Sequence, residues 1–255
     1  MKTGLLSVTF RKLSPKQIVQ LCREAQLESI EWGGDIHVPP VDEGRAVEVG
    51  AITREAGLSV AAYGSYYRLG VSESIGLTFS SVLKTAATLG APSIRVWAGN
   101  RNGADADEAW RNAVAADALR CADLAAAEGI LLAYEFHSGT LTDTAESAVA
   151  LLEATSHPFI RTLWQPPVGH SLEKCVEGLR RVNPWVLNVH AFHWWPDSST
   201  RLPLREGVDR WAAYVQELRA GGRDPGILLE FVRGDDPAAL ADDAAALREI
   251  LNQGS

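Results

Sequence analysis

The stretch Ile130-Leu-Leu-Ala-Tyr-Glu-Phe-His137 begins as an apolar run and ends on a carboxylate and an imidazole. A short apolar run bounded by polar loops is typical of a strand that is buried on both faces, as in parallel sheets. The segment Ile227-Leu-Leu-Glu230-Phe231 repeats this design near the end of the chain. Burying a glutamate next to a core is costly unless an arginine, a proton or a metal ion accompanies it. We therefore predict that the two strands bring Glu135 and Glu230 to one shared site.

These two strands belong to a regular alternation of strand and helix patterns. Eight such units in 255 residues, with short connections, favour a single closed (β/α)8 TIM barrel that spans 1–255 as one domain. A doubly wound open sheet is the competing fold, but no Gly-rich dinucleotide turn follows the first strand. The predicted strands are Gly4–Phe10, Ser29–Trp32, Leu58–Tyr63, Ser93–Trp97, Ile130–His137, Arg161–Gln165, Trp185–Phe192 and Ile227–Val232. The predicted helices begin at Ser14, Asp42, Ser74, Asp105, Thr142, Ser171, Val208 and Asp235.

The composition restricts the class of partner. A net charge of −8 and a pI near 5.3 argue against broad electrostatic binding to nucleic acid or to an anionic membrane. Cys22, Cys121 and Cys175 are far apart and form no CxxC pair, which indicates buried thiols in a reducing compartment. No apolar run approaches the roughly 20 residues of a membrane span. We expect a soluble, cytoplasmic protein that binds a small molecule, and the sequence leaves a homo-oligomer open.

Polar residues stand at the ends of the last four predicted strands, which are Glu135, Gln165, His190 and Glu230 in chain order. Strand ends of a (β/α)8 barrel converge, and neighbouring strands lie about 4.8 Å apart. Taken singly, each residue fits a simpler role: an ion pair with arginine, a packed histidine or a loop-capping amide. Together they predict one divalent-metal site, because oxygen and imidazole ligands suit Mn²⁺, Mg²⁺, Co²⁺ or Zn²⁺.

The same segments carry a resemblance to a known family. The pattern resembles the xylose isomerase-like barrel superfamily, specifically its sugar phosphate isomerase/epimerase group, whose members hold a divalent metal with Glu, Asp, His and Glu at the ends of strands five to eight. Gln165 departs from this pattern, because it stands where the family usually has Asp and brings no charge. The segments concerned are Ala133-Tyr-Glu135-Phe-His137, Leu163-Trp-Gln165-Pro-Pro, Asn188-Val-His190-Ala-Phe-His193 and Leu228-Leu-Glu230-Phe.

The resemblance implies a sugar isomerase or epimerase. In such enzymes the metal ion polarises a substrate carbonyl and stabilises the enediolate that forms when a neighbouring carbon loses its proton. Glu135 and Glu230 are then expected to be metal ligands and also the groups that remove and return the proton. The remaining predicted site residues form a wall suited to a carbohydrate. They are His37, Tyr66, Trp97, His137, His193, Trp194 and Arg201.

Several alternatives stay open on the sequence alone. A lyase or dehydratase would use the same proton removal followed by loss of a leaving group. A non-catalytic sugar-binding relative is favoured by Gln165, and an endonuclease-like branch is disfavoured by the acidic charge and the simple ligand set. No Gly-rich phosphate cradle follows strands seven and eight, which favours a neutral sugar, although Arg201 and Arg233 keep an anionic substrate open.

Overall fold

Eight parallel strands close into a barrel in the computed structural model, which describes residues 1–253. The barrel closes where the first strand pairs with the last, with Thr3 beside Ile227. The predicted (β/α)8 barrel is confirmed, and residues 254 and 255 of the predicted domain lie outside the described part. The barrel strands are β1 (Thr3–Leu6), β2 (Ser29–Gly33), β3 (Ser59–Arg68), β4 (Ser93–Trp97), β5 (Leu131–Glu135), β6 (Ile160–Trp164), β7 (Val186–Ala191) and β10 (Gly226–Leu229), and β8 (His193–Trp194) and β9 (Arg201–Leu202) form a separate hairpin.

The helices follow the strands as predicted. Ser14 caps the first helix with a full capping box, and Pro15 occupies the first helical position, as expected from their conformational preferences. Within residues 1–253 no helix combines the length and the apolar character needed to cross a membrane. The helices are α1 (Pro15–Glu24), α2 (Glu43–Glu55), α3 (Phe79–Leu89), α4 (Glu108–Ala127), α5 (Ala145–Ala154), α6 (Leu172–Val182), α7 (Val208–Ala220) and α8 (Leu240–Asn252).

Two observed strands differ in length from the predicted ones. The predicted strand Gly4–Phe10 ends at Leu6, and Ser7–Phe10 forms a 3₁₀ turn instead. Within that turn the Ser7 hydroxyl accepts a hydrogen bond from the backbone N–H of Gly33 at 2.8 Å, so the turn ties the end of β1 to the end of β2. Further along, the predicted third strand continues well past Tyr63 into the aromatic segment that the sequence assigned to a loop.

The largest differences in helix start, about five residues, occur at two helices that turns precede. The helix expected from Ser74 begins at Phe79, since Gly76 adopts a left-handed conformation with φ of 92° and Thr78 supplies the N-cap. The helix expected near Asp235 begins at Leu240, after two short 3₁₀ turns. Both shifts follow from local turn chemistry, which apolar periodicity does not report.

Successive side chains of the barrel strands alternate between the helices and the barrel interior. Ile30 and Ile94 belong to the large apolar core that includes residues of the surrounding helices. Glu31, next to Ile30 in β2, contacts His190 of β7, although β2 and β7 are not neighbours in the sheet. Such a contact is possible only through the interior, so the part of the barrel interior around Glu31 and His190 is charged rather than apolar.

Candidate metal centre

Three of the four predicted metal ligands form one buried group, and the fourth, Gln165, lines the cleft that opens from it. Glu135 ends β5, His190 lies in β7 and Glu230 directly follows β10. All three are buried, and each offers a ligand atom that lies within 4.8 Å of the others. A carboxylate pair and one imidazole at this spacing form a donor set that suits a divalent cation.

Glu135 is held by two hydrogen-bond donors of the protein. Arg95 Nη1 and Trp97 Nε1 both donate to its Oε2 atom, from successive inward-facing positions of β4. The Thr142 hydroxyl donates to the backbone oxygen of Glu135 and fixes the end of the strand. The alternative partner foreseen for a buried glutamate, an arginine, is therefore present on one carboxylate oxygen, while Oε1 makes no hydrogen bond to the described residues.

Glu31 is a further buried carboxylate at the site, and the sequence analysis did not select it. Its Oε1 atom accepts from Arg95 Nε at 2.6 Å, and its Oε2 atom lies 3.3 Å from His190 Nε2. Burial alone would raise the pKa of Glu31, but the charges of Arg95 and His190 outweigh it and lower the pKa to about 2. Glu31 is thus an ionised carboxylate that links the Arg95 side of the site to the His190 side.

The opposite side of the centre lacks such partners. His190 Nδ1 is buried and has no hydrogen-bond partner within residues 1–253, and it faces Glu230 Oε2 at 3.7 Å. Burial, offset only in part by His190, raises the pKa of Glu230 to about 7. For His190 burial would lower the pKa, but the charge of Glu31 and the smaller effects of Glu230 and Glu135 raise it. Glu230 is therefore less readily ionised, and His190 more readily protonated, than the same groups in water.

A divalent cation fits this arrangement in charge as well as in donor type. Three buried carboxylates and one guanidinium, with His190 neutral, carry two net negative charges that such an ion neutralises. Glu135 Oε1, His190 Nδ1 and Glu230 would hold it. Gln165 lines the same cleft, and its Nε2 atom donates to the Phe136 carbonyl at 2.8 Å, so its amide is anchored through nitrogen.

The backbone at the end of β10 is strained in the turn that positions Glu230. Phe231 adopts a left-handed conformation with φ of 49°, which is costly for an aromatic residue. Two hydrogen bonds hold this turn: Glu230 N–H donates to the Ala191 carbonyl at 2.9 Å, and Phe231 N–H donates to the Thr9 hydroxyl at 3.0 Å. These hydrogen bonds therefore fix the backbone position from which the Glu230 side chain extends.

Several predicted wall residues do lie near the centre. His137 stacks on Trp97 with ring centroids 4.6 Å apart, and the Arg68 guanidinium covers Trp97 at 3.9 Å. Tyr66 packs against Trp97 at 6.0 Å and accepts a hydrogen bond from Arg11 through its hydroxyl. The Trp97 indole, which donates to Glu135, is thus held by contacts with the His137 ring, the Tyr66 ring and the Arg68 guanidinium.

A cleft of about 470 Å³ opens from Glu135 and Glu230. Trp194 and Phe231 line it and pack against each other at 5.6 Å, and the buried Trp194 Nε1 has no partner among the described residues. Arg201 lies over both rings and forms an ion pair with Asp235 at 2.5 Å. The cleft therefore combines the carboxylates with an apolar aromatic wall.

Of the seven predicted wall residues only His137 and Trp194 line this cleft; Tyr66, Trp97 and Arg201 pack beside the centre or the cleft wall, and two histidines have other contacts. His37 is buried, with Nδ1 at 3.0 Å from the Ser7 hydroxyl and Nε2 at 3.2 Å from the Leu13 carbonyl, so both ring nitrogens contact the protein. His193 lies in the hairpin, where its ring faces Gly207 so closely that a Cβ atom there would lie 2.6 Å from Nδ1. Both rings have a packing role in the structure.

The sequence did contain a signal for Glu31 and Arg95. The segments Ser29-Ile-Glu31-Trp and Ser93-Ile-Arg95-Val-Trp alternate polar and apolar residues inside strands of a parallel barrel. A charge in the middle of such a strand is costly without a partner. Two opposite charges inside two nearby strands therefore indicate a buried ion pair, although neither charge stands at a strand end.

Comparisons with known proteins agree with the fold. No curated protein matches the chain in sequence. Similar solved structures include a probable 3-DHS dehydratase AsbF from Bacillus anthracis (TM-score 0.79, 21% identity, 100% of each chain) and a D-psicose 3-epimerase with D-fructose (0.75, 15%, covering 98% and 99%). An IolI protein with a bound zinc atom is similar as well (TM-score 0.79, 15% identity, 99% of each chain). A family model described as xylose isomerase-like TIM barrel matches residues 19–250, and the chain therefore belongs to this family.

Proposed function

We propose that the protein is a divalent-metal-dependent isomerase or epimerase that acts on a carbohydrate by removing a proton next to a carbonyl. The observation that carries this proposal is the buried group of Glu135, His190 and Glu230 around the unpartnered His190 Nδ1. Similar structures include an epimerase and a zinc-bound protein, which supports a metal-assisted reaction on this fold.

The two glutamates would move the proton. A bound divalent ion would supply polarisation of the substrate carbonyl and stabilise the negative charge that develops on its oxygen. Glu135 and Glu230 approach from strands separated by two others in the barrel, so they can act on different sides of one carbon atom. Arg95 and Trp97 restrain the Glu135 carboxylate, whereas no hydrogen-bond donor of the described residues holds that of Glu230.

The cleft supports a carbohydrate as the substrate. Aromatic faces such as those of Trp194 and Phe231, which both line the cleft, suit the apolar face of a sugar. His137 and Gln165 offer further polar atoms at the same opening. We propose a neutral sugar, because Asp235 already neutralises the Arg201 guanidinium. Arg201 therefore offers no net positive charge to an anionic substrate.

Solvent-proton exchange tests the proposal. A panel of keto sugars is incubated in D₂O with the Mn²⁺-loaded protein, and deuterium at the carbons next to the carbonyl is measured by NMR. Glu135→Gln and Glu230→Gln should each slow the exchange by about 10²–10⁴-fold, as for a lost acid or base. Glu206→Gln, at an exposed position, is the matched control and should not change it. Full exchange by chelator-treated protein, or none with any sugar, would contradict the proposal.

A dehydratase is the second candidate, favoured by the similarity to a probable dehydratase. It would share the proton removal, but a leaving group would then depart from the adjacent carbon. The same incubations distinguish the two, because a dehydratase yields an unsaturated keto product that absorbs in the ultraviolet, whereas an epimerase yields none.

Gln165 distinguishes a working enzyme from a sugar-binding relative with a degenerate site. Gln165→Asp adds the carboxylate that the family usually has at this position. A large gain in Mn²⁺ affinity together with new activity would support degeneration. Unchanged or reduced activity would support an enzyme adapted to the amide, with Glu177→Gln as a surface control of opposite charge change.

A further inference from the structure

Glu31 lies on the far side of His190 from the cleft, and nothing in the proposed reaction uses it. It is 1% exposed and comes from β2, across the barrel interior from β7. Its two oxygens are divided between two partners: Oε1 accepts from Arg95 Nε at 2.6 Å, and Oε2 lies 3.3 Å from His190 Nε2. Because each oxygen contacts a different partner, the Glu31 carboxylate can restrict the orientation of both side chains.

The chemistry of the contact decides where the imidazole hydrogen lies. An ionised carboxylate only accepts hydrogen bonds, and Arg95 keeps Glu31 ionised through a direct ion pair. His190 Nε2 must therefore carry the hydrogen that faces Oε2. In the neutral ring the lone pair is then on Nδ1, the buried atom that faces Glu230 without a partner among the described residues.

We propose that Glu31 is the positioning residue of His190: it selects the Nε2–H tautomer and so presents the Nδ1 lone pair to the space between Glu135 and Glu230. A carboxylate behind an imidazole performs this orienting role at many metal sites. The part of the inference that concerns a metal rests on the proposed function, whereas the part that concerns the tautomer does not.

Gly64 in β3 makes room for this arrangement. A Cβ atom at this position would collide with the Arg95 guanidinium and would lie 3.0 Å from Glu31 Oε1. The φ of Gly64 is not in the left-handed region, so the close approach of the ion pair, rather than backbone conformation, explains the absence of a side chain. The interior of the barrel is thus shaped around the Glu31–Arg95 pair.

Glu31→Gln is the sharpest test because it keeps the shape and changes the hydrogen bonding. Arg95 can only donate, so the amide oxygen of this variant must stay on Arg95, and the amide NH₂ group faces His190. Nε2 then has to accept, and the hydrogen moves to Nδ1, the atom meant for the metal. The same loss of the correct tautomer follows amide replacement of a carboxylate in other buried carboxylate–histidine pairs.

Histidine ¹⁵N shifts of the metal-free protein read the tautomer directly, at a pH where His190 is neutral, with its signal assigned by its absence in His190→Gln. Wild type should show Nε2–H and Glu31→Gln should show Nδ1–H. Mn²⁺ affinity, measured by calorimetry, should fall about 10–100-fold in Glu31→Gln. Glu28→Gln is the matched control, since Glu28 precedes the same strand and accepts from the Thr3 N–H at 2.8 Å, away from His190, and it should change neither quantity.

Each outcome distinguishes the inference from the proposed function. An Nδ1–H tautomer in wild type overturns the inference without any variant, even if Glu31→Gln does not fold. An unchanged tautomer in folded Glu31→Gln also overturns it, although metal binding and exchange activity would keep the proposed function. A reversed tautomer in a protein that binds no Mn²⁺ supports the inference and contradicts the proposed function.

Discussion

Glu135 and Glu230 both mark the ends of buried barrel strands, but the protein surrounds them differently. Glu135 receives hydrogen bonds from Arg95 and Trp97, and Arg95 continues to Glu31. Among the described residues, no hydrogen-bond donor contacts the Glu230 carboxylate, which lies 3.7 Å from the unpartnered His190 Nδ1 and close to Glu135. The charges of the first region are paired within the protein, whereas in the second no arginine or lysine pairs with Glu230 within residues 1–253. The difference teaches that buried charge here is paired within the protein on one side, whereas on the other side it is left for the proposed ligand.

Removing Arg95 should have the largest effect on stability. Arg95→Met leaves Glu31 and Glu135 buried without their shared cation, so the free energy of unfolding should fall by about 3–5 kcal/mol. Urea unfolding of the metal-free protein measures it. Arg180→Met is the control, because Arg180 pairs with Glu217 on the surface and such pairs contribute about 1 kcal/mol or less. Equal losses in the two variants would show that the supporting network is not needed.

Adding metal should stabilise the second region by an intermediate amount. At a free Mn²⁺ concentration of about 100 times Kd, binding to the native state alone should raise the free energy of unfolding by about 2.7 kcal/mol. A chelator should remove this gain, and His190→Gln should not show it, because the variant lacks the Nδ1 ligand. Stabilisation of wild type and His190→Gln to the same extent would place Mn²⁺ elsewhere on the protein.

Replacing Glu230 should cause the smallest loss of stability, or none. In metal-free protein Glu230→Gln removes a buried charge that no hydrogen-bond donor of the described residues holds, so the free energy of unfolding should stay equal or increase. Glu135→Gln, in contrast, should decrease it, since Arg95 then loses part of its charge partner. Thermal unfolding with a chelator compares the pair directly. A larger loss in Glu230→Gln than in Glu135→Gln would reverse the comparison between the two regions.

Sequence reasoning succeeded where the pattern is local and failed where it crosses the barrel. Apolar runs and strand ends predicted the barrel, which is confirmed, and the structure places Glu135, His190 and Glu230 close together; their role as metal ligands stays a prediction. The same reasoning assigned His37 and His193 to the substrate wall, because loop position gives no information on side-chain direction. It passed over Glu31 because a charge within a strand has meaning only when its partner on another strand is known.

The sequence by itself determined the alternation of eight strands and helices, and with it the end of the barrel at which polar side chains collect. Only the tertiary structure determined which buried charged side chains contact each other. The closed barrel turns side chains of β2, β4, β5 and β7 into one interior, so Arg95 meets Glu135 on the neighbouring strand and Glu31 on a strand that is not its neighbour, and Glu31 meets His190. The physical reason is that a buried charge is stabilised by neighbours in space, and closure of the sheet, rather than spacing along the chain, selects those neighbours.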